Sequence, residues 1–234
     1  MQKKLRQELV DLLTKTDTPT ICNAIEQAQG KRGFNRFTRK TPAAMHQSAQ
    51  VAMGYARTAK IAAEHPTERS AEDNQKIRMD YYRHMSQGPR PAICVIEDTD
   101  PEPVGAYWGE VNTNVHRGLG LSGTLTNGLI RDLGLCPPDY QVIGGGIGPS
   151  HRFVHIEDID CEVEIFGMKV APGEFVHTDR HGACVVPEEI LPELDRWIAR
   201  MQEFEKIVID PAKGKNFTFE TLEAAWRELE KRRV

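Results

Sequence analysis

Three ionisable side chains in WGEVNTNVHRGLGLSGTLTNGLIRDLG, residues 108 to 134, have the types and spacing for chemistry on a small anion. Glu110 follows Gly109, and the adjacent pair Arg131 and Asp132 arrives after twenty intervening residues. Asn127-Gly128 is a turn signal that ends a strand, so Arg131 and Asp132 fall just past that strand's end, where neighbouring side chains diverge. Asp132 can offer hard oxygen to a divalent ion, and Arg131 a planar fork to a carboxylate or developing oxyanion. Glu110 opens a short helix, EVNTNVHRGL, whose first N–H groups would make an anion site on the same cleft. An exposed Glu and a surface Arg–Asp pair would account for the same letters, so the reading depends on their surroundings.

Two other stretches compete. HTDRH places His177, Asp179 and His181 at period two, so persistent strand geometry would put all three on one face, as metal ligands or their supports require. Asp-Arg-His-Gly is also an ordinary turn between strands, which would splay His181 away. GGGIGP, Gly144 to Pro149, resembles a nucleotide loop, but Pro149 and SHRFVH stand where a phosphate-binding helix should start, and no GxxxxGK[ST] occurs. A flexible loop with close backbone approach is the better reading. His151 and His155 behind it read as loop histidines.

The elements that must position these residues follow from periodicity. Leu5, Leu9, Leu12 and Leu13 share a helical face, and a second short helix begins at a Thr18 cap with Pro19 in its first turn, burying Ile21, Ile25 and Ala28. Residues 30 to 48 read as loop and QVAMGYARTAKIAA as a strand. A helix follows a Ser70 cap, with Ile77, Tyr81 and Met85 inward. PAICVIEDTD is the clearest buried strand. After the glycines, CEVEIFGMKV, PGEFVHTD and GACVVP alternate as strands. One long helix from about Glu188 turns Leu194, Trp197, Ile198, Met201 and Phe204 inward, and a last one buries Leu222, Trp226 and Leu229. The mixed order predicts one α/β domain over residues 1–234, its core about 18–195, with helices at both chain ends and C-terminal helices over about 188–234.

Composition narrows the function classes. The 234 residues are 39% hydrophobic and 27% charged, and thirty basic against thirty-four acidic residues leave a net charge of −4. No basic surplus calls for nucleic acid, no apolar run spans a bilayer, and the N-terminus MQKKLRQELV lacks a signal-peptide core. Five scattered cysteines without a CxxC read as reduced thiols, mostly core residues, in a cytoplasmic protein.

TPTICNAI, GAYWGEVNTNVHRGLGLSGTLTNGLIRD and VAPGEFVHTDRHGACVVP, in that order, resemble the RraA-like family from about residue 18 to 195. That family includes divalent-metal-dependent 4-hydroxy-4-methyl-2-oxoglutarate aldolases and ribonuclease E activity regulators. The acid-x20-Arg-Asp spacing is the most specific part. The resemblance implies a swivelling β/β/α fold, homotrimers or dimers of trimers, and active sites near subunit boundaries. It also implies that Asp132 binds Mg2+ or Mn2+, that Arg131 binds substrate, and that Gly109, Glu110, Val111 and Asn112 cradle the substrate's carboxylate. Three departures stand out. Asn127-Gly128 replaces the usual Asp-Gly, the helix around 66 to 86 is long, and GGGIGPSHRFVH replaces a commoner Arg-Gly-x-x-Pro pattern.

The function so implied is cleavage or decarboxylation of a 2-oxo acid through a pyruvate enolate. The positive charges of the ion and Arg131 would stabilise the enolate. Retro-aldol cleavage also needs a base for the substrate hydroxyl, for which Glu110 is the candidate; decarboxylation does not. No Lys lies between residues 77 and 168 to form a Schiff base near the motif. Two rivals remain: a non-catalytic regulator that docks on a ribonuclease or other protein, and a sugar-acid lyase or hydratase using the face of His177, Asp179 and His181.

Overall fold

Two helices open the chain in the computed structural model, which describes residues 5–48 and 50–232. Helix α1 (Gln7–Leu13) buries Leu9 and Leu13. Helix α2 (Thr18–Gln29) starts one residue earlier than the Thr18 cap predicted: Asp17 is the cap, its carboxylate accepting the N–H of Thr20 at 3.0 Å. Thr18 is unavailable because its N–H goes to Asp179 and its hydroxyl to His177. Gly30, at φ 64°, ends the helix in the left-handed conformation that a residue without Cβ adopts at no steric cost.

The middle of the chain alternates strands and helices: β1 (Ala43–Ala44), β2 (Ala52–Ala62), α3 (Ala71–Ser86), β3 (Ala92–Asp98), α4 (Glu110–Gly118), β4 (Gly123–Thr126), β5 (Leu129–Ile130), β6 (Gln141–Gly144) and β7 (Gly146–Ile147). Ser70 caps α3 as expected, accepting from the N–H of Asp73 at 3.1 Å. The rest is β8 (His155–Ile159), β9 (Val163–Ile165), β10 (Met168–Val170), β11 (Phe175–Asp179), β12 (Gly182–Val186), α5 (Leu194–Ala212) and α6 (Phe219–Arg232). The long C-terminal helix therefore begins at Leu194, after a 3-10 turn at Leu191–Glu193, and not near Glu188. Pro192 explains the delay, since it has no N–H to donate back to residue 188 and its ring would strike that carbonyl.

One sheet runs in the order β1-β6-β4-β3-β2-β11-β12, with β8 on the far half of β2. Strands β6, β4, β3 and β2 are mutually parallel, while β1, β8, β11 and β12 join antiparallel. The parallel strands are buried on both faces, which is why β3 reads as a continuous apolar run. One face, carrying Ala52, Ala56, Ile93, Val95, Leu125 and Ile143, packs on the β9–β10 hairpin. The other face meets the helices: Cys94, Ile96 and Val142 lie against α3 and the Tyr107–Trp108 segment, and Met53, Tyr55 and Phe175 against α1, α2 and α5. Hairpin, sheet and helices make the β/β/α layering that the resemblance implied. At the C-terminus α6 leans on α5, burying Ala225 and Leu229, so its apolar stripe is narrow; Trp226, expected inside, is 45% exposed.

Candidate active site

Trp108, fully buried, bridges in parallel to Ile130, and the N–H of Arg131 donates to the Trp108 carbonyl at 2.8 Å. That bridge sets residues 109–110 against 131–132. The closeness requires glycine at 109, because a Cβ there would run into the Asp132 carboxylate and lie 2.9 Å from Arg131 Nε. Its φ of −130° suits any residue, so the demand is for space alone. Gly109 is also the N-cap of α4 and has no side chain to spend on the first turn. Asp132 takes over part of that task from across the cleft, accepting the Glu110 N–H on Oδ2 at 3.1 Å. The N–H groups of Val111 and Asn112, which a Ser or Asp cap would consume, have no partner among the described residues.

Asp132 adopts φ 55°, unusual for a residue with a Cβ, and its carbonyl closes a turn with the N–H groups of Leu135 and Cys136. The charges of Arg131 and Asp132 attract across 3.7 Å, too far for a hydrogen bond, and Arg131 Nε is buried without a hydrogen-bond partner among the described residues. Both side chains line an open 460 Å³ cleft with Leu133, Ile147, Gly148 and Pro149. The opposite wall is held by β7, paired with β5, and by the Gly148 N–H on the Ile130 carbonyl at 3.0 Å. Strand β5 separates Arg131 from the end of β4, so the pair lies one short strand beyond the predicted position. The cleft opens past the carboxyl ends of the parallel strands, where open α/β sheets bind ligands. The side chain of Glu110 is exposed and is not among the cleft-lining residues.

Two asparagine side chains near the cleft are engaged within the fold. The Asn112 side chain does not reach for substrate: its Nδ2 donates to the Tyr107 carbonyl at 2.7 Å and its Oδ1 accepts from Tyr82 at 3.1 Å. Only its backbone N–H is left for a ligand. Asn127, where the family pattern has Asp, clasps the backbone of Asp98, accepting its N–H at 2.7 Å and donating to its carbonyl at 2.8 Å. An Asp there could not make the second bond, so this departure bears on the turn and not on the substrate. Below the turn, burial pushes the Asp98 carboxyl up to about 7, and its Oδ2 is buried without a partner.

His177, Asp179 and His181 lie elsewhere. His177 pairs with Met53 and Thr178 with Ala52 at the start of β2, the opposite end of the sheet from the cleft. His177 donates from Nε2 to the Leu13 carbonyl and accepts the Thr18 hydroxyl on Nδ1; burial lowers its pKa, which keeps the ring neutral. Burial would raise the Asp179 carboxyl, but the N–H groups of Thr18 and His181 and the His181 ring outweigh it and hold it below its usual value. The trio fastens α2 to the sheet and cannot support the cleft within the same chain. Among the described residues no group of three His, Cys, Asp or Glu side chains is placed to hold a metal by itself. A larger groove of 730 Å³ lies between α2, α5 and α6, lined by Glu26, Lys31, Arg32 and Glu205 beside Met201, Phe204 and Trp226.

At the carboxyl end of the α/β sheet, a charged pair and a helix start with a glycine cap thus come together. The chain belongs to the RraA-like family: the sequence model of that family, described as Aldolase/RraA, matches residues 18–185. In structure it is similar to an uncharacterized protein from Pseudomonas syringae pv. tomato, with a TM-score of 0.70 at 18% identity over 97% of each chain. It is also similar to RraAS2 of Streptomyces coelicolor, an unusual member of the RNase ES inhibitor RraA protein family. There the TM-score is 0.66 at 21% identity, covering 87% of this chain and 96% of that one. Protein DlpA of Legionella pneumophila is 25% identical over 114 residues, 47% of this chain and 18% of that protein, so the chain spans a small part of this relative. The family holds both lyases and ribonuclease regulators. Among the described residues no helix is long and apolar enough to cross a membrane.

Proposed function

We propose that this chain is a divalent-metal-dependent lyase that cleaves or decarboxylates a 2-oxo acid, of the 4-hydroxy-4-methyl-2-oxoglutarate aldolase or oxaloacetate decarboxylase type. One observation carries the reading: Gly109 lets the start of α4 close on Arg131 and Asp132, so that free N–H groups, a guanidinium and a carboxylate share one location. A surface ion pair would need neither the bare glycine nor an Arg131 Nε buried without a hydrogen bond. The donor set fits Mg2+ or Mn2+, which take one or two carboxylates and fill the remaining positions with water and substrate oxygens. Asp132 would hold the ion, which when bound supplies positive charge beside the 2-oxo group.

The chain's own groups divide the remaining work. The N–H groups of Val111 and Asn112, at the positive end of α4, receive the substrate carboxylate. Arg131 presents its fork to the oxygen on which negative charge grows as the carbon–carbon bond breaks and the pyruvate enolate forms. Glu110, directly or through a water, takes the hydroxyl proton in retro-aldol cleavage. Exposed Val111, Leu133, Leu135 and Ile147 surround this region, an apolar rim that suits contact with a second copy in a homotrimer or dimer of trimers. The same rim would suit a ribonuclease, and a regulator that docks there is the second reading; it has no use for the uncapped amides.

Turnover of oxaloacetate and 4-hydroxy-4-methyl-2-oxoglutarate with and without Mg2+ or Mn2+ tests the reading. Chelator should silence the protein, and Asp132→Ala should lose at least ~100-fold while remaining folded, as removal of a catalytic ligand does. Full activity in excess EDTA would overturn it.

A further inference from the structure

Consecutive tyrosines on α3 grip α4 from below. Tyr82 donates its hydroxyl to Asn112 Oδ1 at 3.1 Å, and Tyr81 lies 2.6 Å from His116 Nε2. The proton positions follow from the partners. The Asn112 carbonyl can only accept, so His116 Nδ1, 2.6 Å away, carries the hydrogen. Burial lowers the His116 pKa to about 4, so the ring is neutral, and its bare Nε2 takes the Tyr81 hydroxyl. Asn112 Nδ2 faces another carbonyl, that of Tyr107, which orients its amide and leaves Oδ1 for Tyr82.

Asn112 therefore ties three pieces together: α3, the first turn of α4, and the Tyr107–Gly109 segment that bridges to Ile130. A glycine cap cannot fix the start of α4 by its own side chain, and the external cap from Asp132 engages only Glu110. We propose that Tyr82 is a positioning residue of the candidate site: through Asn112 it holds the first turn of α4 so that the Val111 and Asn112 N–H groups stand ready for a carboxylate. The proposal rests on the lyase reading for its ligand, but the latch itself does not. Tyr82 is not among the residues that line the cleft.

Tyr82→Phe keeps the ring and removes only the hydroxyl, and thermal unfolding would report any failure to fold. Two readouts test it. Amide hydrogen exchange at Glu110 and Thr113, whose N–H groups bond to Asp132 and to the Gly109 carbonyl, should accelerate by about 3- to 10-fold relative to the later turns of α4, the range expected for one lost hydrogen bond. Oxalate, a planar dianion resembling the pyruvate enolate, should bind by calorimetry in Mg2+ with a Kd raised by a similar factor, while the pH dependence of binding is unchanged. Arg83→Ala, on the exposed side of the same helix, should alter neither. Unchanged exchange at Glu110 and Thr113 together with unchanged oxalate affinity overturns the proposal. Faster exchange in a protein that binds no oxalate even as wild type retains the latch and overturns the lyase reading instead.

Discussion

Adding one methyl group at Gly109 asks whether the site is built on contact or only on sequence proximity. The backbone there, at φ −130°, accepts alanine without strain, so any cost comes from what the methyl meets. It would overlap Asp132 Oδ2 and press on Arg131 Nε at 2.9 Å and Cγ at 3.0 Å. The Trp108–Ile130 bridge holds both backbones, so the side chains must move. Overpacking of this kind costs about 1–3 kcal/mol. Displacing Asp132 also breaks its bond to the Glu110 N–H, and bonds to charged groups contribute about 1.5–3 kcal/mol. Part of that second loss overlaps the first, because water can replace Asp132 at an exposed helix end, so a total near 2–3 kcal/mol in denaturant unfolding is expected for Gly109→Ala. The sharper measurement is a cycle with Asp132→Ala, which removes the carboxylate that the methyl strikes. The double variant should recover at least ~1 kcal/mol relative to the sum of the single losses. Strict additivity would mean that residues 109 and 132 do not share space, and the site as described would be wrong.

Arg131→Lys should retain metal binding yet lose roughly 2–4 kcal/mol in kcat/KM, because an ammonium cannot reproduce the bidentate fork. Glu110→Gln should reduce retro-aldol cleavage more than oxaloacetate decarboxylation; equal losses in the two assays would remove Glu110 as the base. Asp98 has a folded pKa raised from 3.8 to about 7, so its protonated form favours the fold. Its contribution is full below about pH 4 and is lost as pH rises through 7, with a slope of at most about 1.4 kcal/mol per unit. Asp98→Asn should flatten that part of the stability–pH curve, and an unchanged curve would rule out the assignment. Light scattering at micromolar concentration should show an oligomer, and Leu135→Glu within the apolar rim should dissociate it; a monomeric wild type would contradict this.

Local patterns were readable where one element's own chemistry decides its fate. Ser70 capped α3, Glu110 opened α4, and the apolar run of PAICVIED is β3 because parallel central strands are buried on both faces. The spacing from Glu110 to Arg131-Asp132 was legible as a motif, but its meaning depends on the Trp108–Ile130 bridge, which two-residue strands do not announce by periodicity. Thr18 reads as a cap by type, yet tertiary bonds to His177 and Asp179 claim it and the task falls to Asp17. The same bonds explain why HTDRH resembled a metal face: polar residues at period two served the packing of a helix. That the Asn112 side-chain amide is occupied left no trace in the sequence, because only through-space contacts with Tyr82 and Tyr107 show it. The need for glycine at 109 left no local signal, since its backbone conformation is ordinary.

The two walls of the cleft are anchored in unlike ways. Arg131 and Asp132 are fixed on one side by α4 and the Trp108 bridge, whereas Ile147, Gly148 and Pro149 attach through the two-residue strand β7 and the Gly148–Ile130 bond. Beyond Pro149 the chain crosses solvent-facing residues before it rejoins the sheet at β8. The backbone there is tied to Ala106 and Ala63, so it is the exposed side chains of residues 149–153 that can vary in size without shifting the charged pair. In a lineage or a library, those side chains are where selection for a longer or bulkier ligand would act, while the charged pair keeps its place.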